Sequence, residues 1–291
     1  MISIALFRKI RAEAAPIGIG LALLPAVALA GNPPVPIAAS ASILPGGRSV
    51  VYGTPATVFA SFVNTSASDL DGCQVSLPQD APSGLTMSFQ TTDLATNALT
   101  GTANTPVPIA GYTLQSFLLT FSANSTLSAP GLAPAFSCSG TLPVPVIPGV
   151  NTVDLSFASV PVPDIIAIAA TASQDGIVRV PQSKGGSGAF AVATFNAGAG
   201  ATITASVDTG TAKLPAAIAL CQTDATTAAC LAPPAATVPL DFAGGATPTF
   251  SVFVSASAPI GLDPANARIF VRFKDSAGGA HGSTSVAVQT D

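Results

Sequence analysis

From Phe59 onward the chain says nearly everything twice. Phe59-Ala-Ser-Phe-Val-Asn64 resembles Phe190-Ala-Val-Ala-Thr-Phe-Asn196, and Thr105-Pro-Val-Pro-Ile109 resembles Thr237-Val-Pro-Leu240. Ser116-Phe-Leu-Leu-Thr-Phe-Ser-Ala123 resembles Thr249-Phe-Ser-Val-Phe-Val-Ser-Ala256, and Gly131-Leu-Ala-Pro134 resembles Gly261-Leu-Asp-Pro264. The matches stand about 130 residues apart and in the same order, which points to an internal duplication rather than chance. The boundary falls at Val160-Pro-Val-Pro163, a short, stiff proline linker, so the expected units are 31–160 and 161–291.

Each copy reads as strands. Ala56 to Val63 and Gln115 to Ser122 place aromatic and β-branched residues near period two. Ala267 to Lys274 alternates, with Arg268, Arg272 and Lys274 on one face and Ile269, Val271 and Phe273 on the other. Turn clusters separate these runs: Ser66–Asp69, Pro78–Pro82, Gly185–Gly188 (read as a hairpin loop) and Gly244-Gly245. Gly and Pro, 26 of each, disfavour helix interiors, and the Ala-rich piece Pro215 to Leu220 reads as turn or strand. With 48% apolar and 8% charged residues the chain is not disordered, and it carries no basic stripe to hold nucleic acid.

Residues 1–30 have the form of a secretory signal peptide. Arg8, Lys9 and Arg11 precede an apolar stretch that ends in Ala28-Leu29-Ala30, a small-x-small cleavage pattern. Cleavage leaves seven Lys+Arg against thirteen Asp, a net charge of −6, because the only Glu, Glu13, leaves with the leader. No later stretch reaches spanning length without turn residues, so no membrane insertion is expected of the mature chain. Four cysteines in an exported chain point to disulfides, and four allow three pairings. A two-unit chain makes Cys73–Cys138 and Cys221–Cys230 the economical choice, closing loops worth roughly 4 and roughly 3 kcal/mol. The spacings are not those of a metal site, and the single His281 cannot complete one.

Seven or eight short strands in each roughly 120-residue copy match the count of an immunoglobulin-like sandwich. With Phe59 to Asn64, Phe190 to Asn196 and the Phe117–Phe121 strand, the chain resembles bacterial secreted immunoglobulin-like modules, which carry an Asn near the end of an early strand. The expected fold is all-β: two tandem antiparallel immunoglobulin-like sandwiches after a signal peptide. The chain has no Trp and no clear tyrosine corner, which leaves strand order open. The resemblance implies a spacer, adhesive or accessory role outside the cytoplasm.

Catalytic chemistry finds little footing. His281 in Gly278-Gly-Ala-His-Gly-Ser283 reads as a solvated turn residue, with no GxSxG elbow elsewhere. Asp80, Asp93, Asp164 and Asp175 each lie beside turn residues, where Asp bonds its own backbone. Asp69-Leu-Asp71-Gly72 has the first half of a calcium loop, which makes Asp69 and Asp71 the candidate ligands; without a third acid and a closing Glu it is not an EF-hand, and the alternative is a turn entering a strand. No phosphate-cradling loop is present, and two Tyr make a poor sugar platform. The expectation is therefore an exported, non-enzymatic protein of the periplasm or cell surface, without catalytic residue or cofactor. It would bind a protein or a surface polysaccharide through sheet edges or end loops. An adhesin or pilus-type subunit, or a carbohydrate-binding accessory of a secreted hydrolase, are the other readings.

Overall fold

The computed structural model describes residues 35–182 and 186–291. The expected signal peptide, residues 1–30, lies outside the described residues, as does Lys184. Every regular element described is a strand. Residues 39–158 form β1 Ala39–Leu44, β2 Gly47–Val51, β3 Ala56–Asn64, β4 Leu70–Ser76, β5 Thr86–Thr92, β6 Val107–Ile109, β7 Leu114–Ser122, β8 Leu127–Leu132, β9 Ala135–Ser137 and β10 Val153–Ala158. Residues 165–290 form β11 Ile165–Thr171, β12 Ile177–Val180, β13 Ser187–Asn196, β14 Ala201–Asp208, β15 Ala216–Thr223, β16 Thr237–Phe242, β17 Thr249–Ala256, β18 Arg268–Lys274 and β19 Ala280–Thr290.

One strand order recurs. The four-stranded sheets run β1-β3-β7-β5 and β11-β13-β17-β15. Facing the second of these is the five-stranded β12-β19-β18-β14-β16, in which β12 pairs parallel to β19. The first half has two three-stranded pieces instead, β2-β10-β8 and β6-β4-β9, again with one parallel pair, β2 to β10. The difference has a local cause. Pro134 falls between β8 and β9 and interrupts the strand that β18 keeps whole, because proline has no N–H for the ladder, while Pro130 lies at the register shift within β8. The Gly131–Pro134 and Gly261–Pro264 matches accordingly fall in different places, the first at the end of β8 and the second in the connection before β18.

Alternation along β3 and β13 sends every second side chain inward, as their spacing predicts. Phe62, Phe117, Phe121, Phe136 and Phe157 build one core; Phe190, Phe242, Phe250 and Phe273 build the other. Edge-to-face contacts such as Phe62–Phe136, 5.6 Å between ring centres, lock the rings. Asn64 and Asn196, at the ends of β3 and β13, are fully buried and play one part. Asn64 donates its amide to the carbonyls of Ser68, Ile109 and Ala110; Asn196 donates to those of Ala199, Phe242 and Ala243. Disulfides join Cys73 to Cys138 and Cys221 to Cys230. Gly185 lies outside the described residues; Ser187 and Gly188, expected in a hairpin loop, belong to β13, and β12 and β13 lie in different sheets.

Between Ala158 and Ile165 the chain passes from one core to the other, yet Pro34–Asp291 is one compact unit. The two halves meet through β2, β10 and the 148–152 turn on one side and β11, β18 and β19 on the other. Gly46 and Gly149 allow the approach: a Cβ on Gly46 would lie 2.9 Å from the Ser283 carbonyl, and one on Gly149 only 2.6 Å from the Phe270 ring. Gly149 also has φ +74°, which a side chain would strain.

Candidate functional site

The seam between the halves opens into a cavity of ≈ 570 Å³. From the first half come Gly46, Gly131, the Pro148–Gly149 turn, Thr152 and Asp154; from the second come Asp208, Thr209, Asn266, Arg268, Phe270 and Arg272. Arg268, Phe270 and Arg272 are alternate residues of β18, so one face of one strand supplies the floor. The alternation is as the sequence predicts, but that face is not solvent: the first half covers it, and Arg268 is only 7% exposed.

Arg272 has carboxylate partners. Its Nε donates to Asp208 Oδ2 at 2.8 Å, its Nη1 lies 4.0 Å from Asp154 Oδ2, and its guanidinium sits 4.5 Å above the centre of the Phe270 ring. Asp154 also accepts from the Gly131 N–H and the Ser283 hydroxyl. Arg268 differs. Its Nε and Nη2 donate to Ser285 Oγ and its Nη1 to the Pro264 carbonyl, and no carboxylate lies within ion-pair distance among the described residues. Burial lowers its pKa to about 10, since desolvation disfavours the charged form. Ser285 donates in turn to the Gly149 carbonyl, so docking of the halves fixes the plane of the guanidinium.

A second hollow lies beside it, lined by Asp154, Arg272, Lys274, Asp275 and His281. His281 is not a solvated turn residue: it is the second residue of β19 and 6% exposed. Its Nδ1 lies 3.0 Å from the Pro163 carbonyl and its Nε2 2.9 Å from Asp275 Oδ2. Both ring nitrogens thus face oxygen, and neither is free to accept a proton from a nucleophile. Burial pushes the Asp275 carboxyl up, but hydrogen bonds from His281 and from the Gly279 and Ala277 N–H groups, with the charge of His281, hold it below its usual range.

Asp164 also departs from the turn expected of it. It is buried beneath Arg48, whose Nε and Nη2 grip its carboxylate at 3.0 and 2.8 Å, and it accepts from the Ser49 N–H. The pair spans 116 residues and ties the halves together. Asp93 and Asp175 are turn residues as expected. Asp69 accepts from the Gly111 N–H as the chain enters β4, and Asp71 lies in β4, both exposed; among the described residues no three His, Cys, Asp or Glu side chains gather as a metal set. Sequence reasoning missed Asp154, Asp208, Arg48 and the role of Arg268. Only the charge count held a trace: seven bases follow residue 30, and three of them, Arg268, Arg272 and Lys274, stand on one strand face.

No family model matches the chain. No curated protein matches it either. Among solved structures, it is similar to a protein of unknown function from Porphyromonas gingivalis W83, at 14% identity over 87% of this chain and 99% of that one, with a TM-score of 0.25. It is also similar to the secreted serine protease VesC from Vibrio cholerae, at 9% identity over 72% of this chain and 45% of that one, with a TM-score of 0.22.

Proposed function

We propose that the chain is an exported, non-enzymatic interaction protein of the cell envelope or surface, made of two duplicated immunoglobulin-like sandwiches docked as one body. It recruits a protein partner by strand addition. The observation that carries this reading is the edge strand β11. From Ile166 to Ala170 its backbone bonds only to β13 among the described residues, and it carries no charge and no proline. Free edges are normally blunted by Lys, Pro or a bulge. The other edges of the four-stranded sheets carry further backbone bonds: Ile43 of β1 donates to the Val150 carbonyl, Asn104 and Thr100 donate to β5, and Leu220 exchanges bonds with Ala235 across β15.

The surroundings suit docking. None of the eight strands of the two four-stranded sheets contains an Asp, Glu, Lys, Arg or His. Ile168 and Phe195 stand exposed beside the β11 edge. Two disulfides suit an oxidising compartment. A non-catalytic role is supported by His281, whose nitrogens are both occupied.

The test is capture from envelope fractions with mature 31–291, beside an Ile168→Lys variant that places a charge on the open strand. A specific protein retained by the parent and lost at least tenfold by the variant supports strand addition. Retention of polysaccharide alone, or turnover of ester or glycoside substrates, overturns it.

A further inference from the structure

Four arginines follow the leader, and three of them, Arg48, Arg179 and Arg272, pair with carboxylates. Arg268 does not, although it is among the buried polar residues of the molecule. A buried charge without a counter-charge is costly, so its retention needs a reason. A merely structural arginine would be expected to find one of the thirteen Asp; two of them, Asp154 and Asp208, line the same cavity, yet both are taken by Arg272.

A guanidinium has five N–H donors, and three are used here, on two neutral acceptors. One N–H remains on each terminal nitrogen. Two such donors in one plane match the two oxygens of a carboxylate. The plane is set in advance, because Ser285 holds one edge and is itself held by the Gly149 carbonyl. Advance positioning of this kind lowers the ordering cost of binding. The cavity beside it, ≈ 570 Å³ and walled by Phe270, Pro148 and Ala265, falls within the size range of small-molecule sites. Across it, the carboxylates of Asp154 and Asp208 favour a singly charged, planar anion over sulfate or phosphate.

We propose that the seam between the halves is a binding site for the carboxylate of a small organic acid, received by Arg268 against the Phe270 wall. The site is separate from the β11 edge, so either can fail without the other. Both a simple acyl acid and a uronic acid present the required group.

The experiment follows the Arg268 Nε–H resonance and the melting temperature of mature 31–291. Sodium acetate, N-acetylalanine and galacturonate are titrated at constant ionic strength, with acetamide and sulfate as controls. Saturable movement of that resonance with a raised melting temperature is expected for at least one carboxylate, and none for acetamide. Tighter galacturonate assigns the ligand to acidic saccharides, tighter N-acetylalanine to acylated acids. Arg268→Met and Arg268→Lys have no such resonance and are read by melting temperature alone: Arg268→Met should show no rise with any carboxylate and Arg268→Lys should need at least tenfold more for the same rise, both with parental partner capture. Should Arg268→Met fail to fold, Ser285→Ala keeps the charge, loses its orientation, and should weaken carboxylate binding several-fold. The proposal falls if no carboxylate saturates the signal, or if sulfate matches them.

Discussion

Asn64 and Asn196 show how much one side chain can hold. Each is fully buried and gives its amide to three carbonyls while its oxygen takes N–H groups, from Ser66 in one half and from Asp164 and Gly198 in the other. Truncation to Ala orphans these groups, and each half is expected to lose about 3 kcal/mol, as orphaned buried groups cost roughly 1–3 kcal/mol each. Urea denaturation of Asn64→Ala and Asn196→Ala checks this, and near-equal losses would show that the two asparagines do the same job. Asp275 gives a pH dependence of known sign. Its carboxyl is held below the ordinary value in the folded protein, so it contributes stability above the unfolded value of about 4, which is lost as pH falls through the folded one. Asp275→Asn should therefore narrow the stability difference between pH 5 and pH 3, read by urea midpoints; an unchanged difference would remove the His281 clasp from the account.

The hairpins after β5 and β15 separate what is needed from what is added. Asp93 accepts from the Ala95 and Thr96 N–H groups and the Thr96 hydroxyl, and Asp224 from Thr226, Thr227 and the Thr227 hydroxyl. Only the second hairpin has a disulfide; where it has Cys221 and Cys230, the first has Gln90 and Leu99. The first keeps its form without sulfur. Cys221→Ser with Cys230→Ser should thus cost no more than about 3 kcal/mol, the chain-entropy value, and less than the roughly 4 kcal/mol for losing Cys73–Cys138. Thermal melts of the two double variants rank them, and a larger loss at the hairpin would refute the comparison. Such pieces were legible in the sequence because strand period, turn Asp and paired Cys are local signals. The seam was not. Arg268 and Arg272 alternate like solvent-facing residues, and nothing within a few positions says that a second half covers them. Asp164 beside Pro163 has the look of a turn, while its partner Arg48 lies 116 residues away. His281 stands one residue after Gly278-Gly279, yet β19 begins at the Ala280 between them.

Whether the two similar halves act as one body depends on what crosses between them. Proline linkers alone leave domains free to move unless the interface is extensive. Here Arg48 grips Asp164 in a buried pair, Ser283 and Ser285 donate to the Gly46 and Gly149 carbonyls, and glycines bring backbone against backbone. Removing one partner of a buried pair strands the other charge, so Asp164→Ala should cost about 3–5 kcal/mol, whereas Arg48→Met with Asp164→Leu should come close to neutral. The sharper expectation concerns cooperativity. The parent should unfold in urea as a single transition, because neither half can open without exposing the seam. Asp164→Ala should split it into two, and Gly149→Val, which drives a side chain into Phe270 and Ser285, should do the same by steric means. Both variants should also lose carboxylate binding at Arg268, since the serine that orients it hangs from Gly149. Two transitions in the parent, or Arg268 binding unchanged in Gly149→Val, would mean that the halves are independent and that the cavity between them is not held shut by these contacts.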